Sequence, residues 1–197
     1  MGCAWRRQAG WKMNIAVFGG ASAKPGEETY NEALRLRAML ANLGHTVMTG
    51  GYVGVMEAAS RGANEAGGHV VGVTCAQIER WRNSKANAWL KEERHFETLR
   101  ARMYALIDGC DAAVVMPGGI GTLCELAVTW NEQVIIGKNS RPLILVGNEW
   151  NKVISQFIES LGCYLSVKDR DLIQIVPDVD TAVEIIKMQT NTNDSRD

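Results

Sequence analysis

The residues with the clearest chemical potential are a carboxylate and the glycine-rich segment before it. Residues 117–121 read PGGIG, and Glu125 follows within about one helical turn, in an otherwise apolar stretch. Glycine lets an anion approach the backbone, and amides at a helix start carry partial positive charge. The segment could therefore bind phosphate, with Thr122 adding a hydroxyl. Alternatively, it could be only a tight turn, and Glu125 an ordinary first-turn acid stabilised by the helix dipole.

Glycines cluster after three of the predicted strands. The clusters are Gly19 with Gly20, Gly50 with Gly51, and Gly118 and Gly119 with Gly121. In a parallel α/β sheet, ligands bind beyond the carboxyl ends of the strands. Three clusters at that edge favour a phosphate-bearing, nucleotide-like ligand over three unrelated turns. The GxGxxG motif of dinucleotide sites and the GxxxxGK motif of P-loops are absent, which disfavours a nicotinamide dehydrogenase or an NTPase.

Short apolar runs alternate with helical patterns along the chain. Strands are predicted at 14–20, 45–51, 69–74, 110–116, 141–147 and 171–176, and helices at 28–43, 53–68, 98–109, 119–137, 149–161 and 178–189. This alternation predicts an α/β fold: a single Rossmann-like, doubly wound domain with a parallel sheet and helices on both faces. We expect the domain to span 13–189, with 1–12 as an N-terminal extension and 190–197 as a disordered tail.

Residues 75–97 do not fit this alternation. The segment is polar, bears two tryptophans and has no clean periodicity, and we interpret it as a long excursion with some helix. Trp81 and Trp89 could line a ligand pocket, or they could hold the long loop against the domain. The sequence favours neither interpretation.

Composition excludes several classes of function. The net charge is −1 and no basic stripe is present, so no nucleic-acid partner is expected. The apolar runs are too short to cross a membrane, and the N-terminal residues lack the apolar core of a secretory signal. Five cysteines without a CxxC pair fit reduced thiols and a cytoplasmic location. The three histidines are isolated from one another and from the cysteines, so we predict no metal site and no cofactor.

The motifs together resemble one known family. The run PGGIGTLCE (117–125) is similar to the PGGxGTxxE signature of the LOG ("lonely guy") proteins. The runs GGASAKPGEETY (19–30, with Ser22 and Tyr30) and GGYVGVM (50–56) resemble the family's two other glycine motifs. Arg102, fifteen positions before Pro117, corresponds to the arginine of the family's RK element, and Asp111 to the Asp opening the strand before PGG. The resemblance covers about residues 13–188.

The resemblance implies a homodimer, or a higher homo-oligomer, that hydrolyses the N-glycosidic bond of a nucleoside 5′-monophosphate. The substrate would be AMP or a cytokinin riboside monophosphate, and the products the free base and ribose 5-phosphate. Glu125 and Arg102 would be catalytic: Glu125 would stabilise the developing positive charge or activate water, and Arg102 would orient the substrate. The substrate and its phosphate would be bound by Gly19, Ser22, Gly50, Gly51, Gly118, Gly119, Gly121 and Thr122.

The chain departs from the LOG pattern at several positions. Glu57 stands where many LOG enzymes have glycine, Met103 replaces the lysine of the RK pair, and Cys124 replaces an acid. The 75–97 segment is also unlike that of the compact cytokinin-activating enzymes. These traits resemble a broader branch that includes molybdenum cofactor carrier proteins. The alternative function is therefore non-catalytic binding or carriage of a nucleotide or the molybdenum cofactor.

Overall fold

The computed structural model describes residues 12–137 and 141–191 of the chain. The strands are β1 (Asn14–Phe18), β2 (Thr46–Thr49), β3 (Val70–Cys75), β4 (Glu92–Phe96), β5 (Ala112–Val115), β6 (Leu143–Val146) and β7 (Ile173–Val176). The helices are α1 (Glu28–Asn42), α2 (Val55–Glu65), α3 (Ala76–Arg82), α4 (Leu99–Asp108), α5 (Ile120–Ile136), α6 (Asn148–Leu161), α7 (Val167–Arg170) and α8 (Val179–Asn191), with a 3₁₀ turn at Gly162–Tyr164.

The strands form one parallel sheet in the order β4-β3-β2-β1-β5-β6-β7. The chain starts at the centre, builds outward to β4, and then returns to place β5 beside β1. Ile15 pairs with Ala112, and Phe18 with Val115, across this reversal. The predicted Rossmann-like, doubly wound fold is confirmed. A reversal of strand order opens a crevice between the loops that leave the two strands.

Successive side chains of each strand point to opposite faces of the sheet, and each face has its own core. On one face, Ile15 and Val17 pack with α1, α2 and α8. On the other, Ala16 and Phe18 pack with α4, α5 and α6. Because both faces are covered by helices, the central strands are apolar on both sides. This is why they were recognisable in the sequence as continuous apolar runs.

The 75–97 segment holds a strand that the sequence did not indicate. It begins with α3 and ends with β4, which pairs in parallel with β3 at the edge of the sheet. The sequence of β4 is EERHF, and most of its residues are exposed. An edge strand away from the core needs no apolar run, so a rule based on buried strands misses it. Residues 162–170 likewise contain a 3₁₀ turn and the short α7 that were not predicted.

The two tryptophans of this segment have different roles. Trp89 lies under the Arg61 guanidinium, whose central carbon is 5.4 Å from the ring centroid. The Trp89 carbonyl accepts a hydrogen bond from the Asn64 side chain (3.0 Å), and the Asn87 amide donates to Gly51 O (2.8 Å). These contacts hold the loop before β4 against α2. Trp81, by contrast, is 76% exposed.

The ends of the chain are described only in part. Helix α8 reaches Asn191, two residues into the predicted tail. Residues 192–197 of that tail, and residues 1–11 of the predicted extension, lie outside the described ranges. The division into extension, domain and tail therefore stays a prediction. Within the described ranges, no helix combines the length and the apolar character needed to span a bilayer.

Candidate functional site

A cavity of about 810 Å³ opens beyond the carboxyl ends of the central strands. It is bordered by the loops that follow β1 and β2, by α3, and by the first turns of α4 and α5. This is the crevice expected where the strand order reverses. Its volume lies in the upper part of the range of about 300–1,000 Å³ that is typical of small-molecule sites.

The start of α5 forms one wall of this cavity. Its first helical hydrogen bond runs from the Leu123 amide to Gly119 O (3.0 Å), so the amides of residues 120–122 precede it. No side chain caps these amides, and Ile120, Gly121 and Thr122 all line the cavity. Unsatisfied amides at a helix start attract anions. We call the amides of residues 120–122 the anion site.

The glycines of the PGGIG segment serve different purposes. A Cβ atom added to Gly119 or Gly121 would meet no heavy atom within 4 Å, so both positions are open to a ligand. A Cβ on Gly118 would overlap the Thr122 side chain and would lie only 2.8 Å from Gly20 N. Gly20 N also donates to Pro117 O (3.0 Å), which joins the loops after β1 and β5. Gly118 therefore allows this close loop contact and does not line the cavity.

One turn beyond the anion site, Glu125 forms a buried ion pair with Arg102. Nη1 of Arg102 donates to Oε1 of Glu125 over 2.9 Å, and Nε of Arg102 donates to Val73 O over the same distance. Both side chains line the cavity although they are more than nine-tenths buried. Oε2 of Glu125 has no hydrogen-bond partner among the described residues, which leaves it available to a ligand.

Burial changes the acidity of Glu125. Desolvation raises the pKa of this carboxyl group above its usual value, and the Arg102 guanidinium opposes that rise by attraction and by a hydrogen bond. Arg102 therefore favours the ionised carboxylate in an apolar site. The carboxyl group of Glu125 therefore lies one helical turn beyond the anion site, paired with a positive charge.

The second glycine cluster shapes the ion pair rather than the anion site. Gly50 lines the cavity, and a Cβ atom there would overlap the Arg102 guanidinium and lie 2.5 Å from the sulfur of Met56. Gly51 has φ of +77°, and a Cβ would lie 2.6 Å from Cγ2 of Thr74. Gly50 thus makes room for Arg102, and Gly51 allows the backbone turn that follows β2.

The structure separates the predicted binding residues into two groups. Those lining the cavity are Gly19, Gly50, Arg102, Gly119, Gly121, Thr122 and Glu125. Those not lining it are Ser22, Gly51 and Gly118. Ser22 is an exposed residue of the β1–α1 loop. For all ten positions a direct ligand contact stays a prediction, because glycine motifs mark close backbone packing as well as ligand contact.

The outer wall of the cavity was not predicted as a binding surface. It consists of side chains from α3 and the start of α4, namely Gln77, Ile78, Trp81, Arg82, Leu99 and Arg100. Tyr52, from the β2–α2 loop, closes the inner side: its hydroxyl donates to Cys75 O (3.0 Å) and accepts from Cys75 N (2.7 Å). Burial raises the pKa of Tyr52 to about 12, so it remains protonated. The one feature of the sequence that indicated this wall was a tryptophan, Trp81, in an otherwise polar segment.

One group of potential metal ligands occurs among the described residues. The ligand atoms of Glu79, Glu93 and His95 lie within 4.8 Å of one another, at the outer edge of the sheet. The Thr74 hydroxyl donates to Glu93 (2.5 Å) and lies 3.0 Å from His95 Nδ1. These hydrogen bonds account for the arrangement, and the expectation of no metal site stays a prediction.

Comparison with known proteins shows the family of this chain. The sequence model of the SLOG cluster4 family matches residues 12–170. The chain belongs to the SLOG cluster4 family. The resemblance to the LOG proteins seen in the sequence is thereby confirmed.

Two relatives and one solved structure illustrate the similarity of this SLOG cluster4 protein to others. It is 32% identical to a cytokinin riboside 5′-monophosphate phosphoribohydrolase of Mycobacterium tuberculosis, over 67% of this chain and 69% of that protein. It is 30% identical to an uncharacterised protein of Archaeoglobus fulgidus, over 68% and 85% respectively. Its fold is that of the molybdenum cofactor binding protein of Rippkaea orientalis, with a TM-score of 0.71, 24% identity, and coverage of 90% and 97%.

Proposed function

We propose that this SLOG cluster4 protein hydrolyses the N-glycosidic bond of a nucleoside 5′-monophosphate to the free base and ribose 5-phosphate. The observation that supports this proposal is the position of Glu125. Its carboxyl group is buried, in contact with Arg102, and one helical turn from the open amides of the anion site. A relative of 32% identity named as a phosphoribohydrolase gives the same reaction class.

In this proposal the anion site binds the 5′-phosphate, which places the ribose beside Glu125. Cleavage of a glycosidic bond develops positive charge on the sugar, and an adjacent carboxylate stabilises it. The bond from C1′ to the base nitrogen breaks, and its electron pair leaves with the base. The oxygen of a water molecule bonds to C1′, Oε2 of Glu125 accepts the proton of that water, and the base takes a proton from solvent.

Arg102 fixes the position of the Glu125 carboxylate for this step. Its Nε–H is held by Val73 O, so its guanidinium has a fixed direction, and Nη1–H occupies only Oε1 of the carboxylate. The pair therefore stabilises the ionised form and leaves Oε2 towards the ribose. The base is adenine or a substituted adenine in this proposal, as in AMP or a cytokinin riboside monophosphate.

Product analysis tests the reaction directly. The purified protein is incubated with AMP and with N6-isopentenyl-AMP, and the mixture is separated by chromatography. We expect equal amounts of free base and ribose 5-phosphate. If a panel of purine and pyrimidine monophosphates binds and no base is released from any of them, the proposal is wrong.

A second function is supported by the size of the cavity and by the shared fold. The protein would then bind or carry a nucleotide or a molybdenum cofactor without cleaving it. A volume of about 810 Å³ suits a ligand larger than a simple nucleoside monophosphate, and a molybdenum cofactor binding protein has the same fold. Tight, stoichiometric binding without base release, in the experiment above, is the outcome that favours this function.

We also propose that the protein is cytoplasmic and forms a homodimer through the outer surface of α5. Four cysteines in the described ranges are free thiols, which suits a reducing compartment. The outer surface of α5 exposes Ile120, Leu123, Val134, Ile135 and Ile136. Exposed apolar side chains grouped on one helix are typical of a protein interface.

Light scattering after size exclusion tests the dimer. Ile135→Glu puts a charge into the proposed interface, and we expect it to shift a dimer of the wild type towards monomer. Leu43→Glu is the matched control, because Leu43 is also exposed but follows α1, on the opposite side of the sheet. A wild-type protein that is monomeric at micromolar concentration would contradict the proposal.

A further inference from the structure

The cavity has positive charges that the proposed hydrolysis does not use. Four charged side chains line the cavity in the described structure: Arg82, Arg100, Arg102 and Glu125. Arg102 and Glu125 neutralise each other. Arg82 and Arg100 form no ion pair with any described carboxylate; the neighbouring Arg80, outside the cavity, is instead paired with Glu97 over 2.9 Å. Two unneutralised guanidinium groups in a ligand cavity favour an anionic partner.

An anion bound at the anion site does not also pair with Arg82, because the two lie at opposite ends of the cavity. It lies at the start of α5, which follows β5, whereas Arg82 lies at the end of α3, which follows β3. In the sheet β1 and β2 separate β5 from β3. Three strand spacings correspond to about 14 Å. A phosphate bound to the amides of residues 120–122 is therefore at the opposite end of the cavity from Arg82.

An apolar wall connects the two ends. Ile78, Trp81 and Leu99 line it, and Trp81 is largely exposed although it carries a large ring. The Arg82 guanidinium lies over the Trp81 ring, 5.1 Å from its centroid, which brings the charge next to this wall. Such a wall suits the plane of a nucleobase, and the adjacent arginine suits an anion attached to that base.

We propose that the ligand is a nucleoside 5′-monophosphate whose base bears a carboxylate, with the 5′-phosphate at the anion site and the carboxylate at Arg82 and Arg100. This inference rests on the proposed function for the place of the phosphate and ribose, and it adds the substrate class. The base lies along Ile78, Trp81 and Leu99. Selectivity arises at the base, because charge-assisted contacts to guanidinium groups increase the affinity for an acidic substituent and not for a neutral one.

Equilibrium binding tests the inference without any need for turnover. The probes are AMP, N6-butyl-AMP and N6-(1,2-dicarboxyethyl)-AMP, titrated calorimetrically, with ligand integrity checked by chromatography afterwards. We expect the dicarboxylate nucleotide to bind about tenfold or more tightly than AMP, and N6-butyl-AMP to bind within about threefold of AMP. The preference should decrease as salt is raised, because both arginines lie at an open surface.

Variants assign the preference to the two arginines. In Arg82→Gln/Arg100→Gln we expect the dicarboxylate nucleotide to lose more affinity than AMP does, so that the two bind with similar affinity. Arg80→Gln is the matched control on the same helix, since Arg80 is paired with Glu97 and does not line the cavity. It should keep the wild-type preference.

Four results would overturn the inference. These are equal wild-type affinity for all three nucleotides, equal gain from the butyl and dicarboxyethyl groups, no detectable binding of any probe, and equal weakening of AMP and the dicarboxylate nucleotide in the double variant. The last result would place the 5′-phosphate at the arginines. A failure of hydrolysis alone leaves the ratio of the two affinities unchanged. The failure of one proposal can therefore be distinguished from the failure of the other.

Discussion

Arg102 and Glu125 meet in the protein interior, with Nη1 and Oε1 2.9 Å apart although the two residues are 23 positions apart in sequence. The contact joins α4 to α5, and Arg102 is also held to β3 through Val73 O. Their pairing holds the carboxyl group of Glu125 one helical turn from the anion site.

Replacing Glu125 with Gln removes the charge but keeps the shape of the side chain. We expect kcat for base release to fall by about 10²–10⁴-fold, because the positive charge on the ribose and the proton of water lose their acceptor. Nucleotide affinity, measured by calorimetry, should change little. Glu132→Gln is the matched control on the same helix, since Glu132 pairs with Arg141 and lies outside the cavity. Unchanged turnover in Glu125→Gln would remove this residue from the mechanism.

Replacing Arg102 with Met leaves Glu125 buried without its partner. Breaking a buried ion pair from one side typically costs about 3–5 kcal/mol, and we expect a loss of that order in the free energy of unfolding, measured in urea. Arg102→Met/Glu125→Gln should recover part of this loss because no buried charge remains. Strictly additive effects in this double-mutant cycle would contradict the pairing.

The pH dependence follows from the raised pKa of Glu125. Activity requires the ionised carboxylate, so the rate should fall as pH decreases through an apparent pKa above the usual carboxyl value of about 4.3. The unfolded chain ionises at lower pH than the folded one. The contribution of Glu125 to stability should therefore decrease as pH rises between these two pKa values, and Glu125→Gln should remove that slope. An acid limb that is identical in Arg102→Met would contradict the role of Arg102, because losing its charge should move the limb to higher pH.

Gly118 and Gly119 are adjacent but should respond oppositely to alanine. In Gly119→Ala the added Cβ meets no protein atom, so the free energy of unfolding should stay within about 0.5 kcal/mol while AMP binding weakens. In Gly118→Ala the Cβ would overlap the Thr122 side chain and approach Gly20 N at 2.8 Å, so both must move and the protein should be destabilised. Thermal unfolding and calorimetry measure the two effects. Normal AMP affinity in Gly119→Ala would argue against a phosphate at the anion site.

Several glycines show how far sequence motifs can be interpreted. The clusters indicated the edge of the sheet at which the cavity lies, because glycine is needed wherever backbones or ligands approach closely. The motif alone cannot distinguish these two reasons. The missing Cβ of Gly50 makes room for the Arg102 guanidinium, and that of Gly118 for the neighbouring loop, while Gly119 and Gly121 face open space.

The 75–97 segment shows a second limit of prediction from sequence. Its strand β4 is polar because it lies at the sheet edge, and its helix α3 has no fully buried residue, so neither produces a strong hydrophobic pattern. Only the packed structure shows that Trp81 lines the cavity whereas Trp89 lies under Arg61. In sequence the two tryptophans are alike.

By itself, the sequence determined the alternation of strands and helices, the glycine breaks at their junctions, and the family to which the chain belongs. These are local properties: periodicity, chain breaking and a contiguous motif are complete within a few residues. The tertiary structure alone decided the contact of Arg102 with Glu125, the functions of the individual glycines, and the arginine-bearing outer wall. Those features depend on strand order and helix packing, which bring together residues that no local signal relates.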